Sequence, residues 1–220
     1  RLGTGVNVPG LRLAPVVANG IATINRLAPG RCFVTLGTGN TGMRLLGQRP
    51  MKLDAFAEYI RVVRALLDGR EVDYALNGES HPIQFQMREH RFINLEDPIK
   101  LYVAGFGPKA QGLAGALADG LVSDVRHGGP VAGMLANAQA GAARSGRTLD
   151  ADFYIAADAQ VIVQQPGEPL TSERIISECG ASVITALHRL VSRYLETGED
   201  PPDYAKPMWA GYISWLNQCP

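Results

Sequence analysis

Each thing this sequence lacks removes a class of function. It has no charge imbalance: 21 basic residues face 21 acidic ones. Nothing therefore favours a nucleic acid or an anionic membrane as partner, since either selects a basic patch. No apolar run reaches the roughly 18 residues of a membrane span. The chain begins at Arg1, with neither an initiator methionine nor a basic segment, apolar core and cleavage site. Cysteine is scarce, and Cys32, Cys179 and Cys219 are odd in number and widely spaced. That excludes a disulfide framework and a zinc pattern, and fits buried thiols in a reducing cytoplasm. His81, His90, His127 and His188 lie in separate segments without ligand spacing, so no metal is expected. A G-x-S-x-G elbow, a Walker loop and a C-x-x-C pair are all missing.

What is present is the material of an α/β protein. The 220 residues are 46% hydrophobic and 19% charged, enough for a substantial core. Leu2 to Val8 reads as a strand closed by Pro9-Gly10. Val17, Ile21, Ile24 and Ala28 recur at helical spacing from Ala14 until Pro29-Gly30. Cys32 to Leu36 is a continuous apolar run, the pattern of a parallel strand buried on both faces. A helix from about Leu53 to Asp68 turns Phe56, Ile60, Val63 and Leu67 inward. Residues 71–98 form a polar excursion in which Asn77-Gly78 marks a tight turn between two short strands. Regularity returns with a strand at Leu101 to Ala104 and a helix opened by Pro108. A strand at Leu121 to Val125 is followed by a helix from Pro130 to Gly146. Phe153 to Val163 reads as a strand with a bulge near Asp158. Ile176, Cys179, Val183, Leu187, Leu190 and Tyr194 stripe a long helix closed by Gly198. Trp209, Ile213 and Leu216 mark a last helix, with Trp209 and Trp215 as packing residues. Strand and helix alternate about five times, which calls for a parallel sheet with helical crossovers; these are too few units for an eight-stranded barrel but enough for a doubly wound sheet.

Two glycine loops carry the chemistry. Gly37-Thr38-Gly39-Asn40-Thr41-Gly42 fits the G-x-G-x-x-G spacing of dinucleotide sites, but that site needs its later glycines to open a long helix. Here MRLLGQRP follows, with a further glycine and a proline. Asp54, at the distance of a ribose-binding acid, falls in the first turn of a helix, where it has a capping or dipole role. The second loop, Gly105-Phe106-Gly107-Pro108-Lys109, joins a buried strand to a helix, and free N–H groups at such a helix start favour an anion. A cation in the first helical turn is unfavourable by a few tenths of a kcal/mol. A bound phosphate reverses that sign for Lys109; otherwise it is a solvated lysine on an ordinary turn. Asp124 ends a strand, where barrel enzymes place catalytic groups, and Arg126 beside it offers a local ion pair.

Taken together, RLGTGVNVP, LAPGR, FVTLGTGNTGMRLLGQRP, EYIRVVRALLDGREVDY and LYVAGFGPKAQGLAGALADGLV resemble the bacterial luciferase-like superfamily of flavin-dependent monooxygenases and deazaflavin-dependent oxidoreductases. The match runs from Arg1 to Val125 and more loosely to Tyr194. The resemblance implies one TIM-type (β/α) barrel domain over residues 1–220, with an inserted segment at 71–98. It also implies that the first two strands and the last are not in this chain. Gly5, Val6 and Asn7 match a strand end that often carries a non-prolyl cis peptide beside the flavin ring. Gly37, Thr38, Gly39 and Asn40 match the strand end lying along the cofactor. Gly105, Phe106, Gly107 and Lys109 match its phosphate-binding turn. Leu13-Ala14-Pro15 stands where many relatives have an Arg-His-Pro triplet, so a histidine role there does not transfer. The implied activity is an oxidoreductase using reduced flavin (FMN) or coenzyme F-420, for monooxygenation or hydride transfer to a small organic substrate. The glycine loops lie closer to the deazaflavin branch. A cytoplasmic protein, with a homodimer as one possible assembly, is expected. Two alternatives stand beside this: a non-catalytic flavin-binding or interaction protein derived from the same barrel, and an unrelated phosphate-binding α/β enzyme.

Overall fold

The computed structural model describes residues 1–125, 128–159 and 161–216. The chain divides into two compact units, Arg1–Ala159 and Gln160–Pro220. Arg126, His127 and Cys219 lie outside the described residues, as do the side chains of His188, Trp215 and Leu216. The expected Asp124–Arg126 pair therefore falls outside them too.

The first unit runs β1 (Leu2–Asn7), α1 (Ala14–Leu27), β2 (Cys32–Leu36), α2 (Asn40–Leu45), α3 (Leu53–Leu67), β3 (Val72–Leu76) and β4 (Glu79–Ile83). It continues with β5 (Lys100–Ala104), α4 (Pro108–Leu117), β6 (Gly120–Asp124), α5 (Val131–Arg144) and β7 (Tyr154–Asp158). Five strands form one parallel sheet in the order β1-β2-β5-β6-β7. That order follows the chain and never reverses, whereas a doubly wound sheet reverses at its switch point. Right-handed crossovers then lay the helices on one face, and α1, α3, α4 and α5 touch one another in that succession. This is the winding of a (β/α) barrel. The β3–β4 pair is a separate antiparallel hairpin, turned at Asn77 (φ 55°) and Gly78 (φ 88°). It forms part of the expected excursion.

The core lies between sheet and helices. Val34, Leu36, Leu101, Val103 and Leu121 meet Phe56, Ile60, Val63 and Leu67 of α3, all buried as the helical period requires. Helices α4 and α5 touch backbone to backbone. A β-carbon at Gly115 would stand 1.9 Å from the Ala138 carbonyl oxygen, and one at Gly141 would stand 1.9 Å from that of Gly112. This close contact fixes the two helices that open beside the site.

Three expectations for the first unit need correction. In α1, Asn25 is buried and Ile24 is 43% exposed. The Asn25 amide donates to the carbonyls of Asn94 (3.1 Å) and Asp97 (2.9 Å) and accepts the Gly30 N–H, so a satisfied polar group takes the inner position. Strand β7 stops at Asp158 rather than Val163, because its partner β6 ends at Asp124, which pairs with Asp158. The stretch after the first glycine loop does form a helix, α2, but only for six residues. Asp54 stands in the first turn of α3, the dipole-favourable placement that was one of its two expected roles.

The second unit holds α6 (Glu173–Thr197) and α7 (Lys206–Leu216). Ser172 caps α6 by accepting the Ile175 N–H, and Gly198 (φ 72°) ends it. Leu187, Val191 and Tyr212 form its small core, with Trp209 and Ile213 against them. Ile176 and Val183, expected inward, are 58% and 49% exposed. Trp209 packs edge-on against Tyr194, with centroids 5.7 Å apart. Cys32 is buried as expected, and Cys179 only partly so. No described helix is long and apolar enough to cross a membrane.

Candidate functional site

Parallel strands deliver their carboxyl ends to one rim, and here that rim is hollow. A cavity of about 580 Å³ lies over the ends of β1, β2, β5, β6 and β7. Its walls follow from the ladder. The Gly37 N–H donates to the Asn7 carbonyl at 3.1 Å, carrying the β1–β2 pairing one residue beyond β2. The chain then turns through Gly39 (φ 84°) into α2, and the Met51 N–H holds the Thr38 carbonyl at 3.1 Å. The Gly105 N–H donates to Val122 at 3.0 Å in the same way on the other side.

Most of the residues expected from the sequence converge here. Val6, Gly37, Thr38, Gly39, Asn40, Gly105, Phe106 and Gly107 all line the cavity. The Gly5–Val6 peptide is cis, at the strand end where the resemblance implies one. Gly5 itself is not in the wall. Nor is Asn7, whose side chain turns back to donate to Thr4 Oγ1 at 2.8 Å. Lys109 is exposed on the first turn of α4 and does not line the cavity either.

The structure adds what sequence reading missed. Val8, Ala104 and Val122 give the cavity an apolar wall, and Asp124 and Asp158 a polar end. Register Asp124↔Asp158 sets these two carboxylates side by side on adjacent strands. Asp124 was visible as a strand end; Asp158 was hidden by the overlong strand. From the end of β5, the strand beside β6, α4 opens with Gly107 as its N-cap and Pro108 at N1. The first-turn N–H groups of a helix have no intrahelical partner and carry the positive end of its dipole. A β-carbon at Gly107 would meet nothing within 4 Å, so an anion has room to approach the backbone. The cavity thus offers an apolar wall, a helix amino end suited to an anion and two carboxylates. Among the described residues, no cluster of histidine, cysteine and carboxylates could hold a metal.

Comparison with known proteins places this arrangement. A family model described as luciferase-like monooxygenase matches residues 1–217. The chain belongs to the luciferase-like monooxygenase family. It is 34% identical over 168 residues to the F420-dependent glucose-6-phosphate dehydrogenase of Beutenbergia cavernae, covering 70% of this chain and 47% of that protein. It is 26% identical over 180 residues to the 5,10-methylenetetrahydromethanopterin reductase of Archaeoglobus fulgidus, covering 80% and 52%. Among solved structures, an F420-dependent secondary alcohol dehydrogenase superposes with TM-score 0.56 at 23% identity, over 70% of this chain and 48% of that one. The FMN-bound oxygenating constituent of 3,6-diketocamphane monooxygenase from Pseudomonas putida gives 0.61 at 15% identity, over 91% and 61%. The luciferase-like chain spans about half the length of these curated relatives. Its fold is that of their TIM-type barrels; among these relatives the glucose-6-phosphate dehydrogenase is named F420-dependent and the diketocamphane monooxygenase constituent holds FMN.

Proposed function

We propose that this chain carries the cofactor-holding part of an oxidoreductase that uses coenzyme F-420 or reduced FMN on a small organic substrate. The supporting observation is a single cavity with an apolar wall of Val6, Val8, Ala104 and Val122 and the amino end of α4 at its edge. These residues fit a planar ring bearing a phosphorylated side chain. When bound in its reduced form, the ring supplies a hydride; a flavin, unlike a deazaflavin, also activates oxygen.

The residues of the chain do the rest. Gly37, Thr38, Gly39 and Asn40, with Val6, would hold the ring in the cavity they line. The backbone at Gly105, Phe106 and Gly107 would receive the phosphate, with Lys109 adding positive charge from outside the cavity. Asp124 and Asp158 face the substrate, orienting hydroxyl or amine hydrogens beside the ring. The deazaflavin form is favoured by the relatives named F420-dependent and by the GTGNTG and GFGPKA loops.

Titrating FMN and coenzyme F-420 into the protein while following ring fluorescence tests this reading. Saturable binding, tighter for coenzyme F-420, is expected. No binding of either would overturn it.

A further inference from the structure

Gln111 is an amide with no exposed surface, in the first turn of α4. Its Nε2 donates to two carbonyls, Phe106 and Gly128, each at 2.9 Å, and its Oε1 accepts from Asn137 Nδ2 at 2.7 Å. One side chain thus ties together the β5–α4 turn, the loop before α5, and α5 itself. Burying an amide is unfavourable unless its groups are paired, and here both donor hydrogens and one acceptor lone pair are used.

The bond to Phe106 has a directional consequence. The Phe106–Gly107 peptide is trans, the cis bond lying at Gly5–Val6. In a trans peptide, C=O and N–H point in opposite directions. With the Phe106 carbonyl held toward buried Gln111, the Gly107 N–H must point the other way, away from Gln111, and Gly107 is a residue of the cavity wall. We infer that Gln111 is a positioning residue: its carboxamide locks the Phe106–Gly107 peptide so that the Gly107 N–H faces the phosphate end of the site. Without it the peptide is free to rotate and present a carbonyl, which repels an anion. This inference rests on the cofactor reading above and names the residue that makes its phosphate end work.

The test is Gln111→Leu, which roughly keeps the volume and removes the donors, with Asn137→Ala as a milder variant that leaves Gln111 bonded to Phe106 and Gly128 but without its tie to α5. Affinities for FMN and riboflavin, which differ by the phosphate, are measured by fluorescence titration; coenzyme F-420 and its phosphate-free riboside serve as a second pair. Losing one hydrogen bond to an ion weakens the phosphorylated ligand about tenfold. The expected result is that loss for FMN or F-420 in Gln111→Leu, a smaller one in Asn137→Ala, and unchanged affinity for the phosphate-free partner. Asn25→Leu, at the opposite end of the strands, controls for general loosening and should leave the ratio of the two affinities unchanged. Equal weakening of both ligands, or none, overturns the role of Gln111 while leaving the cofactor reading intact. Failure of the unsubstituted protein to bind either phosphorylated ring overturns that reading, and this inference with it.

Discussion

Arg64 Nη2 stands 2.6 Å from Asp119 Oδ2, the same oxygen that accepts the Leu101 N–H at 2.7 Å. Asp119 also donates its own N–H to the Leu101 carbonyl at 2.8 Å. One carboxylate therefore pins α3, the start of β5 and the turn into β6 at the end of the sheet away from the cavity.

Both side chains of that pair are about four-fifths covered, so removing one partner strands a poorly solvated charge and a backbone donor. Asp119→Ala should lower the unfolding free energy by about 2 kcal/mol. Asp119→Asn, which still accepts from Leu101, should cost less. Urea unfolding midpoints read both, and a wild-type midpoint for Asp119→Ala would mean the pair contributes nothing.

The two glycines of the β5–α4 turn should respond differently. A β-carbon at Gly105 would lie 2.8 Å from Ala110 Cβ and 3.0 Å from the Ala110 carbonyl carbon, whereas one at Gly107 meets nothing. Gly105→Ala should cost about 1–3 kcal/mol through overpacking, and Gly107→Ala no more than about 0.5 kcal/mol. Thermal melts that rank them the other way would refute the turn geometry.

Lys109 lies outside the cavity wall, so any effect on a bound phosphate acts through space. Such interactions are screened over roughly 10 Å at 0.1 M salt. Lys109→Ala should weaken binding of FMN or coenzyme F-420 more at low salt than at high salt. The same affinity ratio at both ionic strengths would return Lys109 to an ordinary solvated position.

Acid sensitivity of the second unit should centre on Glu168. Its carboxylate accepts from Arg174 Nε (2.9 Å) and Nη2, the Gln165 N–H (2.9 Å) and the Ser172 hydroxyl (2.8 Å). The Arg174 hydrogen bonds first, then those from Gln165 and Ser172, hold its pKa down at about 2 against an ordinary 4.5. A carboxyl lowered on folding stabilises the folded form above its unfolded pKa, and that contribution fades as pH falls through the folded value. Unfolding of this unit between pH 4.5 and 2 should therefore be steeper in the wild type than in Glu168→Gln. Both tryptophans, Trp209 and Trp215, belong to this unit, so tryptophan fluorescence reports on it directly. Superimposable acid titrations would rule the network out.

Local pattern was a good guide wherever one element's own period decided the outcome. The α3 stripe, the Asn77-Gly78 turn and the glycine loops at strand ends all stand where their residues point. It failed where burial depends on partners distant in the chain. Asn25 displaces Ile24 from the inner position because carbonyls 69 and 72 residues away receive its amide. Gln111 reads as a polar helix residue until the Gly128 carbonyl, 17 residues on, is placed above it.

The sequence by itself determined the alternation of strand and helix, the hairpin turn at Asn77-Gly78 and the two glycine loops at strand ends. These follow from hydrophobic period and glycine placement, which act over a few residues. Only the tertiary structure decided that the strands follow one another without reversal, that β7 stops opposite Asp124, and that Asp124 and Asp158 stand together. Strand order and register are set by pairings between segments far apart in the chain. A parallel strand has no ladder partner beyond the end of its neighbour, and no local pattern records where that end lies.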